Sequence, residues 1–181
     1  MSQETVFEKL VDSYYPSLYR FAFSLTRQES EACDLTQETF LIWARKGHQV
    51  RDDSKVKSWL FTTLHREYLQ KHRRRVRFPE VEVESAEAEL PEIAPVSTER
   101  LDRHNILEAL ARLDANFQAA VALFYLEDHT YPEIAEILDI PLGTVKSRIS
   151  RGIAQLQVIL ADSSAQRELH PVHPVKEVAR G

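Results

Sequence analysis

Cysteine, glycine and long apolar runs are nearly missing from this chain, and each shortage narrows its function. Among 181 residues there is one cysteine, Cys33. No intramolecular disulfide is possible, and no cysteine cluster exists to hold zinc, so Cys33 reads as a structural thiol. Glycine occurs 4 times and proline 8 times, too few for a turn-rich β protein and consistent with long helices. The segment Met1 to Leu10 has no basic-then-apolar leader, and no run approaches the length that spans a bilayer. The expected site of action is therefore the cytosol, away from membranes. No glycine-rich phosphate loop is evident, and His65, His72 and His104 have no catalytic spacing. Hydrolase chemistry thus has little support, and no cofactor or metal is expected; two lone histidines in the tail, His170 and His173, do not make a metal site. The formal net charge of −5 argues weakly against indiscriminate nucleic-acid binding.

What is present is segregated. Residues 5–26 repeat apolar positions at helical spacing (Val6, Phe7, Leu10, Val11, Tyr14, then Leu18, Phe21, Ala22, Leu25), with Pro16 expected to mark a bend or a new start. A second helix follows the polar turn Gln28–Glu31. On its wheel Thr36, Thr39, Phe40 and Trp43 share a core-like face, and Asp34, Gln37, Glu38 and Leu41 share the other. Acid, amide and one leucine together suit a partner helix or, more plainly, solvent. After a polar loop, Asp53 or Ser54 is placed to cap a third helix. That helix carries Val56, Trp59, Leu60, Leu64 and Tyr68 and ends in Arg66, Lys71, His72, Arg73, Arg74, Arg75 and Arg77, opposed only by Glu67. Trp59 is expected in the core. Three adjacent arginines repel one another unless a polyanion lies beside them, which points to phosphate contact.

The composition then inverts. Residues 79–99 hold Glu80, Glu82, Glu84, Glu87, Glu89, Glu92 and Glu99, with no lysine or arginine and three prolines. This reads as a flexible acidic linker between two small helical domains. Helicity resumes with Leu101, Ile106, Leu107, Leu110 and Leu113, breaks with a cap near Asp114, and continues through the apolar Phe117–Leu126. Tyr131–Leu138 and a helix from Gly143 then form a helix-turn-helix. Pro132 suits a first helical turn. Pro141 disfavours helical geometry at the residue before it, so Asp139 to Pro141 ends the first of these helices. Val145, Ile149, Ile153 and Leu156 share the inner side. Thr144, Ser147, Arg148 and Arg151 fall on the outer side, with Lys146 nearby and no carboxylate among them. Such a face fits a major groove, arginine reading guanine edges while phosphates hold the register. After Leu160 the helical pattern decays.

The Asp34-to-Trp43 pattern, the Trp-bearing helix that runs into arginines, the linker, and the Gly143-Thr144-Val145-Lys146-Ser147-Arg148 helix together resemble the extracytoplasmic-function (ECF) type of bacterial RNA polymerase sigma factor. The resemblance covers about 1–77 and 100–160. It implies an all-α protein with a region 2 domain over 1–77, a linker over 78–99, a region 4 domain over 100–161 and an unassigned tail over 162–181. It further implies that Asp34, Gln37, Glu38 and Leu41 grip the clamp helices of the largest polymerase subunit, and that the flap of the core enzyme is a second contact. The −10 element falls to Arg66, Lys71, Arg73, Arg74 and Arg75, and the −35 element to Thr144, Lys146, Ser147, Arg148 and Arg151. The linker matches a family segment that threads near the polymerase active centre toward the RNA exit channel. An anti-sigma protein is a further candidate partner. Two departures stand out: Thr62-Thr63-Leu64-His65-Arg66 replaces an Ala-Arg-Asn-like run, which implies a different −10 preference, and Asp139 replaces a common glycine. The competing reading is a stand-alone helix-turn-helix regulator that binds operators without polymerase.

Overall fold

The computed structural model describes residues 3–77 and 106–169, with side chains over 6–74 and 106–161. The acidic linker and the histidine-containing tail lie outside the described residues. Within them the protein is all-α. The first half holds α1 (Gln3–Thr26), α2 (Glu29–Lys46) and α3 (Val56–Arg77), and the second holds α4 (described over 106–111), α5 (Ala115–Tyr125), α6 (Tyr131–Leu138) and α7 (Leu142–Leu169).

The apolar repeats form the core. Leu18, Phe21 and Ala22 of α1 meet Ala32 and Leu35 of α2 and Leu60, Phe61 and Leu64 of α3, all buried. Thr36 and Thr39 are fully buried too. Their hydroxyls donate back to the carbonyls of Ala32 and Leu35 at 2.7 and 2.8 Å, so neither leaves an unpaired polar group inside. Pro16 neither bends the chain into two helices nor restarts it: α1 runs through it. The cap before α3 is Asp52, not Asp53 or Ser54. Its carboxylate accepts from the Ser54 amide at 2.9 Å and opens the 3-10 turn Asp53–Lys55, which feeds α3.

In the second half Asp114 caps α5 as expected, accepting from the Asn116 amide at 2.9 Å. The start of α6 is fixed by a device the sequence reading passed over. Glu133 accepts from the Thr130 amide at 2.7 Å and the Thr130 hydroxyl at 2.8 Å, a capping box ahead of Ile134. Asp139 ends α6 in the left-handed region at φ 53°, as the helix-turn-helix required. Helix α7 then continues to Leu169, eight residues beyond the expected domain limit at 161.

The two halves pack directly on each other. Helix α3 lies against α6, and α1 against α5. The buried cluster of the first half is continuous with Ala119, Ala120, Leu123, Ile134, Ile137 and Ile149 of the second. A smaller cluster of Ala109, Leu110, Leu113, Val121 and Ile159 secures α4 and the middle of α7.

Gly152 shows how close α7 comes to α5. A Cβ there would run into Val121 Cγ2 and sit 3.0 Å from Phe117 Cβ. Overpacking of this kind costs ~1–3 kcal/mol, and the better helix propensity of alanine returns ~1 kcal/mol. Gly152→Ala is therefore expected to lower unfolding stability by up to ~2 kcal/mol, read as a lower urea midpoint at unchanged slope.

Candidate polymerase and promoter interfaces

Three surfaces carry the predicted site residues. On α2, Asp34, Gln37 and Leu41 are exposed and Glu38 is half-buried. Leu41 keeps 52% of its surface in solvent, directly opposite the threonine face that enters the core. The wheel assignment of this helix thus holds on both sides.

On α3, Arg66, Lys71, Arg73 and Arg74 are exposed, and the Arg75 side chain lies outside the described residues. Arg73 Nε donates to the Leu69 carbonyl at 3.2 Å, which ties it to its own helix. Trp59 sits at the edge of the core, packed against the buried cluster without being enclosed by it. It is half-buried, set edge-on to Trp43 at 5.1 Å, and its free side lines a cavity of about 560 Å³ with Val50, Arg51, Thr62 and Arg66. The far wall of that cavity is Glu136 of α6. A second cavity of about 460 Å³ sets Arg66 and Arg73 across from Asp139.

On α7, Lys146, Ser147 and Arg151 are exposed, but Thr144 and Arg148 are half-buried. The expected outer face is therefore not uniformly open. Arg148 lies toward α3: its charge helps hold His65 neutral, second to the burial that pushes the His65 pKa down to about 4. The Ser147 hydroxyl donates to the Thr144 carbonyl at 3.0 Å.

Residues 10–78 match the Sigma-70 region 2 family, and residues 103–156 the Sigma-70, region 4 family. The ECF RNA polymerase sigma factor SigE of Mycolicibacterium smegmatis is 33% identical over 88% of this chain, which spans 63% of that protein's length. EcfG of Rhodopseudomonas palustris, also an ECF RNA polymerase sigma factor, is 31% identical over 92% of this chain and 91% of its own. The chain belongs to the ECF sigma factors. A co-crystal structure of the sigma factor RpoE with the anti-sigma factor NepR from Bartonella quintana is similar at a TM-score of 0.71 and 31% identity, covering 86% of this chain and 96% of that one. Sigma factors of this family bind RNA polymerase core and promoter DNA to start transcription, and region 4 supplies DNA binding.

Between the three surfaces lies a junction the sequence did not announce. Glu127, with 2% of its side chain exposed, receives Arg20 through Nε and Nη2, both at 3.1 Å. Lys57 Nζ donates to the Glu127 carbonyl at 2.6 Å. Burial raises the Glu127 pKa, opposed by the Arg20 charge and hydrogen bond. Next to it His129 is 2% exposed and edge-on to Phe61 at 4.8 Å. Neither ring nitrogen has a hydrogen-bond partner, and the Glu133 carboxylate stands 3.8 Å from Nδ1, beyond hydrogen-bond reach. The partners of Glu127 lie 107 and 70 positions away along the chain. Glu127-Asp128-His129 therefore reads, locally, as an ordinary polar loop.

Burial and then the Lys57 charge depress the His129 pKa from 6.5 to about 4, while Glu133 and Asp128 pull it up. A lowered pKa means the packed state holds fewer protons than the unpacked one. The stability it reflects is complete above pH 6.5 and drains away as pH falls toward 4. The raised pKa of Glu127 works in the opposite sense, so the His129 contribution is isolated by substitution. The His129→Phe protein is expected to gain on the wild type steadily from pH 7 to pH 5 in urea-denaturation midpoint, because phenylalanine has no proton to bind.

Proposed function

We propose that this sigma factor docks on polymerase through Asp34, Gln37, Glu38 and Leu41 of α2. It holds the −10 non-template strand with Arg66, Lys71, Arg73, Arg74 and Arg75, and reads the −35 element with Thr144, Lys146, Ser147, Arg148 and Arg151. The observation that carries the docking face is Leu41, a large apolar side chain left half in solvent amid acid and amide groups. A solvated helix face has no use for it, whereas a partner helix buries it at a gain of ~1 kcal/mol or more. Trp59 and Arg66 line an open cavity in which an unstacked base finds an aromatic edge and a guanidinium.

The division of labour follows the expected limits, region 2 over 1–77, tether over 78–99 and region 4 over 100–161, with α7 reaching past the last. Each domain alone binds weakly, and tethering raises the effective concentration of the second contact. The chain supplies specificity and strand capture, not catalysis, and acts in the cytoplasm with polymerase. A NepR-like anti-sigma protein is a fitting regulator.

Purified protein mixed with sigma-free core polymerase is expected to co-elute on size exclusion. Co-elution should fail for Glu38→Lys and Leu41→Asp, both of which keep their helix content. Intact co-elution of both variants would remove α2 from the docking role. For Arg148→Ala, loss of one bidentate base contact predicts ~1–3 kcal/mol weaker promoter binding, with relaxed preference at a single −35 position in a base-substitution series. Equal weakening on every sequence would make Arg148 a phosphate contact.

A further inference from the structure

Helix α7 opens on two residues that the fold itself does not account for. The turn before it divides its apolar side chains: Ile140 packs against the buried cluster, while Leu142, the first residue of α7, keeps 43% of its surface in solvent. Gly143 follows. Its φ is not positive, and a Cβ built there would meet nothing within 4 Å. Neither backbone conformation nor close packing therefore asks for glycine at this position, and alanine would suit a helix better. One turn further on, Lys146 shares the Leu142 flank of the helix, four positions away, and is exposed.

A single leucine in solvent is common on protein surfaces. This one stands at the leading end of the helix proposed to read the −35 element, next to a residue without a side chain. The N-terminal residues of a recognition helix are those that meet base edges in the major groove. An isopropyl group has no hydrogen bond to offer there, and the apolar feature that a base edge presents in that groove is the C5-methyl group of thymine. We propose that Leu142 is a specificity-determining residue of the −35 contact, its side chain packed on a thymine methyl group, with bare Gly143 leaving room for the duplex to come that close. This contact adds an apolar reader to the polar set of Thr144, Lys146, Ser147, Arg148 and Arg151, and it rests on the reading of α7 as the −35 helix.

Holoenzyme assembled from core polymerase and this chain is used to select duplexes from a promoter library randomised over the −35 element. Each thymine of the selected element, on either strand, is then replaced singly by deoxyuridine, which removes the methyl group and no hydrogen-bonding atom. At one position the exchange is expected to weaken binding by the wild-type holoenzyme about fourfold, the worth of one buried methyl group. Leu142→Ala should bind the thymine and deoxyuridine duplexes equally at that position and keep its response at the others. Its urea midpoint should stay where the wild type has it, because the side chain is exposed. A wild type indifferent to deoxyuridine throughout, a selected element without an A·T pair, or a Leu142→Ala protein that still prefers thymine by the same factor would each overturn the thymine contact. A lowered midpoint with every −35 preference lost together would make Leu142 structural and overturn it too. Lys146→Ala and Arg148→Ala tell this failure from that of the reading beneath it. If both leave the selected −35 element unchanged, α7 is not the −35 helix and both assignments fall. If either changes it while Leu142→Ala does not, only the thymine contact falls.

Discussion

A carboxylate with almost no exposed surface sits where the two halves of this protein meet, and the rest of the arrangement depends on its being answered. Removing Glu127 from water costs several kcal/mol, and only charge and hydrogen bonding from the other half offset it. Arg20 supplies a forked, two-nitrogen contact, and Lys57 takes the carbonyl of the same residue, so one loop position is held by two helices of the first half. Separating the halves returns the carboxylate to water, so this pair adds little net stability to closure. Its effect is to fix how the halves sit. An apolar face can slide, whereas a bidentate guanidinium cannot.

That fixed seating decides which groups lie near the residues proposed to read the promoter. With Glu127 anchored, the following loop delivers His129 onto Phe61, and the Thr130–Glu133 capping box aims α6 along α3. Glu136 and Asp139 then fall across from Arg66 and Arg73 with no further device. The αL turn at Asp139 carries α7 away at the angle that brings Arg148 toward His65. A glycine would make that turn more cheaply. Aspartate makes it and also sets a negative charge opposite a basic helix.

Much of this was legible in residue patterns, and the limits are instructive. Local periodicity gave the α2 faces correctly because both are set by a single helix against a single core. It gave Asp114 correctly because a cap is governed by a few neighbouring residues, whereas the left-handed turn at Asp139 came from the resemblance, which sets a common glycine there. It misplaced the α3 cap by one residue, since Asp52 and Asp53 have the same chemistry and only backbone geometry separates them. It offered a bend or a new start at Pro16, and no new start occurs: α1 runs through that residue, as a helix can when the surrounding packing outweighs one lost hydrogen bond. It set Trp59 within the core, at whose edge it packs with one side free, and Arg148 in the open, where it is half-buried, and both differences have one source. The environment of each is set by how two distant segments pack, which no short window encodes. The Glu127 junction is the extreme case, with partners about 70 and 107 residues away.

The charge pattern then takes on a physical meaning. A chain of net charge −5 with two basic surfaces has carboxylates to spare, and the structure sets two of them against one of those surfaces. These internal carboxylates resemble phosphates in sign and reach but differ in density. Duplex DNA carries a charge every ~1.7 Å and releases condensed counterions when arginine displaces them, a gain two isolated carboxylates do not offer. An intramolecular contact of this kind needs to win only against sparse, random encounters.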